Sequence, residues 1–581
     1  MKSNLQTTGL KFIAALIPLT ACFLYFRYII PYHVCFKEQI QLFVYSSSYI
    51  MSYFSKPAVL ACLGGDFLTQ FLYLKTGGAL VITLLLAVEW GLIFLTLKRF
   101  FTVETRRAAS LLWCAASLPV IIEWISYPRL SFSLDLSVSF VIALSAFLIY
   151  AKTHGKITVA AGILLIPMLY MMAGASVFLF LILAILYDIH CGRRRFVYWA
   201  IILALSVVIP VIFRHSFLLT LKQAYFYPYS GIMQGLSLVA LALMALLFVC
   251  FNNPCKSASS AFQKTFETAP YGSVIIYMVL VSILIFGLVK FTDRRQEKLF
   301  GITVEAYHEN WDKVLEIAES AELQSPVASC YTNIALSQKN LMGERLMDFY
   351  QPFATGLFLP IAPTSGWFAI FAGSDAYYHV GDMDMAQHAA MLGMIFSPNQ
   401  RSARMAERLA ETNMANGDIP AATKYIRMLE STLFYKTKAS RLKDKPHQGI
   451  FRENILRGSN TKDALEFLIE NHPDNLPALN YLLCYYLLNK DIPAFFKAYT
   501  LYCKGKNNPV PKVYAEALLI YFAVMKSTVK EVAEYGLHPE IIKSFGEYTC
   551  LYEKSNGNLM PVQEKFPNTY WLFYHFATSK Q

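Results

Sequence analysis

Charged side chains are scarce in this sequence. Asp, Glu, Lys and Arg make up 15% of its 581 residues, against roughly 25% in ordinary soluble domains. Part of the chain is therefore not built for water, and the deficit is concentrated before about residue 290, where nearly all the long apolar runs lie. Catalytic motifs are missing as well. There is no G-x-x-x-x-G-K-[ST] loop, no H-E-x-x-H and no G-x-S-x-G, which removes the usual phosphate cradle, zinc protease and nucleophile elbow. Gly64-Gly65-Asp66 reads as a turn, because no strand precedes it. None of the eleven Cys forms a C-x-x-C, so neither a zinc site nor a redox pair is signalled; Cys330, Cys484, Cys503 and Cys550 read as free thiols on helices. Lys2 and Lys11 flank an N-terminal apolar run, but no small-residue cleavage site follows it, which makes it a retained first helix rather than a signal peptide.

What is present is hydrophobic: 56% of residues, with a mean hydropathy of +0.40. A spanning helix needs about 20 apolar residues. On that basis about nine spans are expected, near 10–30, 77–97, 108–126, 133–151, 157–173, 174–189, 196–213, 233–252 and 271–290. The fifth and sixth are separated at Ala173-Gly174-Ala175 as a tight hairpin. The net charge of +12 reads as Lys and Arg kept on the cytoplasmic side, not as a nucleic-acid footprint. Lys98, Arg99, Arg106, Arg107, Lys152, Lys156, Arg193, Arg194, Arg195, Lys256 and Lys264 would share that side. With the N-terminus inside, an odd span count exports everything after about residue 291. The first outer loop, 32–75, is too long for a turn and too apolar for a linker; Phe36, Ile40, Phe43, Ile50 and Phe54 suggest re-entrant or interface-lying amphipathic helices.

Residues 291–581 have globular composition and an internal repeat. The segments EAYHENWDKVLEIAE (305–319), YYHVGDMDMAQHAAML (377–392), NMANGDIPAATKYIRML (413–429) and YLLNKDIPAFFKAYTLY (486–502) align on Asn310, Asp382, Asp418 and Asp491, spaced 72, 36 and 73 residues apart. Weaker copies fall at 340–349 and 459–473. A unit of about 36 is close to the 34 of tetratricopeptide repeats, with Ala386, Ala421, Ala464 and Ala494 in the small position that opens each second helix. The expected fold is all-α: a polytopic transmembrane bundle over 1–290 and a tetratricopeptide-like α-solenoid over 291–581, whose concave face would hold a protein partner.

Ionisable groups in or beside a membrane are functional candidates because they are expensive there. Glu38 and Asp66 stand out as general-base candidates, since both sit among aromatic and apolar residues. His33, Arg129, Asp135, Arg214 and His215 are the substrate-binding candidates, with Glu123 also bracketing the second outer loop. Glu89 falls inside the second span, where an internal hydrogen bond or ion pair is the plainer account and a relay the other. Tyr225, Phe226, Tyr227 and Tyr229 read as an interfacial aromatic belt or a sugar platform.

The stretch 381–436, above all RLAETNMANGD (408–418) and TLFYK (432–436), with EQIQLF (38–43) and GDFLTQF (65–71), resembles an uncharacterised family of multipass membrane proteins from Bacteroidota. That resemblance implies a bacterial cell envelope and carries no assigned catalytic residue. The layout of one span followed by a long acidic outer loop is similar to GT-C-type polytopic glycosyltransferases, which use lipid-phosphate-linked sugars. It implies Glu38 or Asp66 as general base, a lipid-linked donor and a divalent metal as cofactor. Two readings follow, both placed in the inner membrane with a periplasmic C-terminal half. One is a scaffold whose repeats bind another envelope protein; the other is a glycosyltransferase-like enzyme at the outer face.

Overall fold

The computed structural model describes residues 16–100, 106–252, 272–321, 323–444, 460–506 and 509–578. Lys2, Lys11, Lys256, Lys264 and the start of the first expected span lie outside the described residues. Helix accounts for 78% of the described residues, and no strand occurs among them. The chain divides into two compact units, Met1–Thr292 and Asp293–Gln581.

The first unit opens with α1 (Leu16–Ile29), which bends by 72° into α2 (Pro31–Gln39). Short helices α3 (Ser47–Ser52) and α4 (Val59–Thr69) follow. The long helices are α5 (Lys75–Lys98), α6 (Arg106–Ser126), α7 (Leu134–Tyr150), α8 (Lys156–Ala173), α9 (Val177–His190) and α10 (Phe196–Phe217). After α11 (Leu221–Phe226), α12 (Leu236–Asn252) and the helix Gly272–Phe291 complete the unit. Pro at the start of α2 suits its first turn, where the missing N–H would have no partner.

The expectation of nine spans is corrected. Among the described residues four apolar runs are long enough to cross a membrane: Lys75–Lys98, Lys156–His190, Phe196–Phe217 and Met233–Cys250, or five with the bent α1–α2 pair. Leu112–Ser126, Leu134–Tyr150 and Val281–Phe291 are apolar but shorter. Composition windows count apolar residues and ignore where a helix stops, which is why they overcount. The run Lys156–His190 is itself broken at Gly174, whose φ of +60° only glycine adopts readily. Its two limbs fold back. Thr158 meets Thr153, Tyr198 Oη lies 3.3 Å from Tyr150 Oη, and Tyr150 Oη donates to Asp188 at 3.3 Å. At the tip, Ser139 bridges Ala173 O and Ser176 Oγ, each at 2.6 Å, and Ala175 N donates to Tyr227 O.

This folding gathers charge by end. Lys152, Lys156, Arg193, Arg194 and Arg195 lie beside the Tyr150–Asp188 cluster, with Lys98 and Arg99 drawn there by Phe100, which stacks on Phe147 and edges onto His190. The opposite end, here the loop end, holds residues 127–135, the Gly174 tip and Tyr227–Tyr229. The first outer loop also departs from expectation. Residues 33–39 of α2 are all buried, so α2 is an interior helix; only the second part of the loop exposes apolar side chains, at Ile50, Met51 and Phe54.

In the second unit, neighbouring helices pack in antiparallel pairs: 294–307 on 311–321, 366–380 on 383–396, 403–415 on 419–430 and 476–488 on 492–502. The repeat has a physical cause. Glu309, Asn340, Gly381, Gly417 and Lys490 take positive φ, and the next residue donates its N–H to the carbonyl five positions back: Asn310 to Glu305, Leu341 to Leu336, Asp382 to Tyr377, Asp418 to Asn413 and Asp491 to Tyr486. That is the Schellman closure of a helix end. Asp382, Asp418 and Asp491 then cap the following helix by accepting from Met385, Ala421 and Ala494 N–H. Two further copies, absent from the sequence alignment, occur at Lys526-Ser527, where Ser527 N donates to Phe522 O, and at Asn556-Gly557, where Gly557 N donates to Tyr552 O. Of the four small positions only Ala386 is buried. The order of stacking is not that of a simple solenoid, in which each repeat touches only its neighbours. Asn475 donates to Val380 O, Phe358 packs on Tyr481, and Lys512 N donates to Glu344. Of the four thiols here, Cys330, Cys484 and Cys503 are buried and Cys550 is exposed; all four are free.

The C-terminal helix Tyr570–Phe576 is fastened by Glu516, whose Oε2 accepts Tyr570 N–H at 2.6 Å while its backbone O accepts Trp571 Nε1 at 2.9 Å. Burial pushes the Glu516 carboxyl up to about 7. The folded state therefore holds a proton that the unfolded chain releases near its ordinary value. The resulting contribution is complete below pH ~4.5 and lost as pH rises to about 7, on the order of 3 kcal/mol. We expect hydrogen exchange at Tyr570–Phe576 to quicken across that window beyond its intrinsic pH trend, and Glu516→Gln to remove the excess.

Candidate functional site

At the loop end, α4 lies on α7 at unusually close range. A Cβ on Gly65 would fall inside the van der Waals envelope of the Asp135 backbone N and Cα, so only glycine allows this approach. The contact sets Asp66, the next residue, beside the start of α7. Ala58, buried and at φ +60°, ties the beginning of α4 to Tyr170 O. A Cβ at Gly174 would strike Tyr227 O and Ala58, so the hairpin tip and Tyr227 close the same corner.

Four side chains meet there. Cys62 Sγ lies 3.8 Å from Asp135 Oδ2 and 3.5 Å from Tyr227 Oη. Tyr53 Oη donates to Asp66 Oδ2 at 2.5 Å and pairs with Tyr49 Oη at 2.6 Å. Ser133 Oγ donates to Asp135 Oδ1. Asp66 and Asp135 both act electrostatically on Cys62 and on Tyr227, as exposed Lys56 does on Cys62. Burial first, then Cys62, Asp135 and Asp66, push the Tyr227 hydroxyl well above its ordinary value. Tyr53 is likewise raised by burial and by Asp66. An aromatic wall stands next to the pair: Phe43 makes edge contacts with Tyr45, Tyr49 and Phe67, with Tyr45 and Phe67 partly exposed. Two half-buried carboxylates with three tyrosines can take and return protons at a surface that is apolar on its outer side.

The other sequence candidates are placed differently. Glu38 is buried on α2, which packs chiefly on residues 70–73 and the start of α5. His33 is buried on the same helix. Its neighbour Lys37 is buried too, donating to Tyr127 O at 2.5 Å and Phe132 O at 2.7 Å, and so fastens the 127–135 loop that carries Asp135. Arg129 is exposed on that loop. Arg214 Nε caps its own helix end through Leu219 O, and His215 is exposed beside it. Of these candidates the structure brings Asp66 and Asp135 together around Cys62 and Tyr227. The Tyr225–Tyr229 belt is also corrected: Phe226 is exposed, Tyr227 belongs to the cluster, and Tyr229 is buried with its hydroxyl on Ser176. Glu123, expected to bracket the second outer loop, is an interior residue of α6. Cys62 was the readable clue, since it stands one helical turn before Asp66; nothing in the sequence ties Tyr53 or Tyr227 to it.

Among the described residues, no three His, Cys, Asp or Glu side chains come together as a metal-holding group. The chain belongs to a family of unknown function, DUF6057, whose model matches residues 6–577. No curated protein and no solved structure matches it.

Proposed function

We propose that this family member is a group-transfer enzyme of the bacterial inner membrane that moves a sugar from a lipid-phosphate donor at the outer face. The Asp66–Asp135 pair supplies its acid–base chemistry. The observation that carries this reading is the convergence of carboxylates from two separate helices, α4 and the start of α7, on Cys62 and Tyr227, beside an aromatic wall that a lipid could reach. The basic opposite end supports an orientation in which the loop end faces outward. Asp66 removes the proton from the acceptor hydroxyl, whose oxygen attacks the anomeric carbon. The bond from that carbon to the donor phosphate oxygen breaks, and its electron pair leaves with the lipid phosphate. Lys56 offsets the phosphate charge, with Arg129 as a second cation on the exposed loop. If a divalent cation takes part, Asp66 and Asp135 are the carboxylates that would share it, the donor phosphate supplying further oxygens.

Replacing Asp66 by Asn should lower transfer by about 100-fold or more, the usual yield of a general base, with the full chain still folded in detergent. The measurement is transfer of labelled sugar from a polyprenyl-phosphate donor, together with the surface glycans of the strain. Unchanged transfer and glycans would sink the proposal.

A second reading concerns the other unit. The seven-fold recurrence of one turn supports a tetratricopeptide-like array that binds a protein partner of the envelope. Cross-linking of the full-length chain in cells should then yield a protein adduct on residues 293–581, and adducts confined to the membrane unit would count against it.

A further inference from the structure

A second pair of carboxyls lies inside the helices of the first unit, away from the loop-end acids. Glu89 on α5 is fully buried, and its carboxyl oxygens lie within reach of Glu123 and Ser137 without a well-aligned hydrogen bond to either. It faces Glu123 on α6, which is 2% exposed. The Glu123 oxygens are served: Oε2 accepts Ser137 Oγ at 2.6 Å and Oε1 accepts Ser237 Oγ at 2.9 Å. Ser137 Oγ also meets Tyr127 Oη at 2.8 Å. The titratable and charged groups around the pair are Tyr127 just after α6, Tyr229 before α12 and Cys22 on α1, with Lys37 of α2 lying 5.6 Å from the Tyr127 ring centre and turned onto the Tyr127 and Phe132 carbonyls. Neither Glu89 nor Glu123 has an ion-pair partner among these groups.

Two adjacent carboxylates cannot both stay ionised in an apolar interior without a cation. Glu123 accepts from two hydroxyls at 2.9 Å or closer, which stabilises charge on it, whereas no hydroxyl is so well aligned on Glu89. We propose that Glu89 and Glu123 form a buried binding site for one exchangeable proton, Glu89 being the protonated member and Glu123 the ionised one. Glu123, Ser137 and Tyr127 form a chain of hydroxyl hydrogens that leads from the site towards the loop end. Leu86 and Trp90, flanking Glu89, and Trp124, next to Glu123, line an apolar cleft of about 320 Å³ that α1 and the helix 272–291 complete. A change in the pair's charge therefore reaches a part of the bundle with room to repack.

The test is infrared difference spectroscopy of the full-length chain in lipid nanodiscs, titrated with pH. The carbonyl band of a protonated carboxylic acid should be present at neutral pH, move on ¹³C labelling of the Glu carboxyls, and disappear in Glu89→Gln. Glu516 also holds a proton up to about pH 7, so all spectra are taken in a Glu516→Gln background; should Glu89→Gln fail to assemble, Glu123→Gln replaces it and should shift the labelled band. A band that ignores the label or survives in Glu89→Gln overturns the proposal. So does a band lost when sodium replaces choline at constant ionic strength, which would make the occupant a metal cation.

Discussion

Replacing Asp375 by Asn should destabilise the Asp293–Gln581 unit by about 3–5 kcal/mol, the cost of stripping one partner from a buried ion pair. Asp375 is 4% exposed and binds two guanidiniums, Arg404 through Nη2 and Arg408 through Nη2 at 2.9 Å. Arg404, itself 2% exposed, also donates to Thr303 O and Tyr331 Oη, at 3.1 and 3.0 Å. Arg408 lies 3.6 Å from the Tyr378 ring centre and pairs with Glu411. This cluster joins the helices 294–307, 326–338, 366–380 and 403–415. Burial alone would raise the Asp375 carboxyl, but Arg404 and Arg408 overcome it and hold the group below its ordinary value. The sign follows: its contribution is present above pH ~4 and is lost as pH falls through the depressed native value. Asparagine keeps the shape and loses the charge, and arginine cannot shed a proton to compensate. Amide exchange over Gly366–Val380 and Ala403–Ala415 should quicken by at least 100-fold, the equivalent of about 3 kcal/mol. Asp312→Asn is the contrast. Asp312 pairs with Lys339 with its side chain 84% exposed, and such pairs contribute about 1 kcal/mol or less. Equal effects from the two substitutions would mean the buried cluster is not what holds these helices.

How far the fold was legible follows from which features leave a local mark. The turns of the second unit were readable where a residue tolerant of positive φ is followed by a capping side chain, as at Gly381-Asp382 and Gly417-Asp418. Lys526-Ser527 was missed because lysine in that conformation carries no compositional signal. Length of an apolar run was readable, and Gly174 marked the break at the expected place. Span count was not, because α7 is apolar yet only 17 residues long, and composition does not show where a helix yields to a loop. Asp66 stood out by its apolar setting. Its partnership with Asp135 did not, because 69 residues separate them and the contact runs through the absence of a side chain at Gly65. Glu89 was expected to find an internal hydrogen bond or ion pair; what it faces is another acid, and a single chain offers no local pattern for that pairing.

Gly65→Ala should therefore damage the loop-end site more than any other single-methyl change on α4. The added Cβ meets backbone rather than a side-chain tip, so the clash cannot be relieved by a rotamer and α4 must move off α7. Overpacking of this kind costs about 1–3 kcal/mol, and the full chain should still assemble. The larger effect falls on geometry. Asp66 is carried on α4 and Asp135 on α7, so a shift of about 1 Å between the helices separates the carboxylates and draws Cys62 away from Asp135 Oδ2. Displacements of that size at a reacting centre lower rates by about 100-fold. Gly64→Ala is the matched control, because its Cβ would come 3.3 Å from Val138 Cγ1, a side-chain methyl that can yield by a few tenths of an ångström. Sugar transfer from a polyprenyl-phosphate donor should fall sharply in Gly65→Ala and change less than about threefold in Gly64→Ala, a difference of under 1 kcal/mol. If both variants transfer normally while thermal unfolding shows Gly65→Ala destabilised, the close approach of α4 and α7 serves packing alone. The chemistry would then have to be sought away from the Asp66–Asp135 pair.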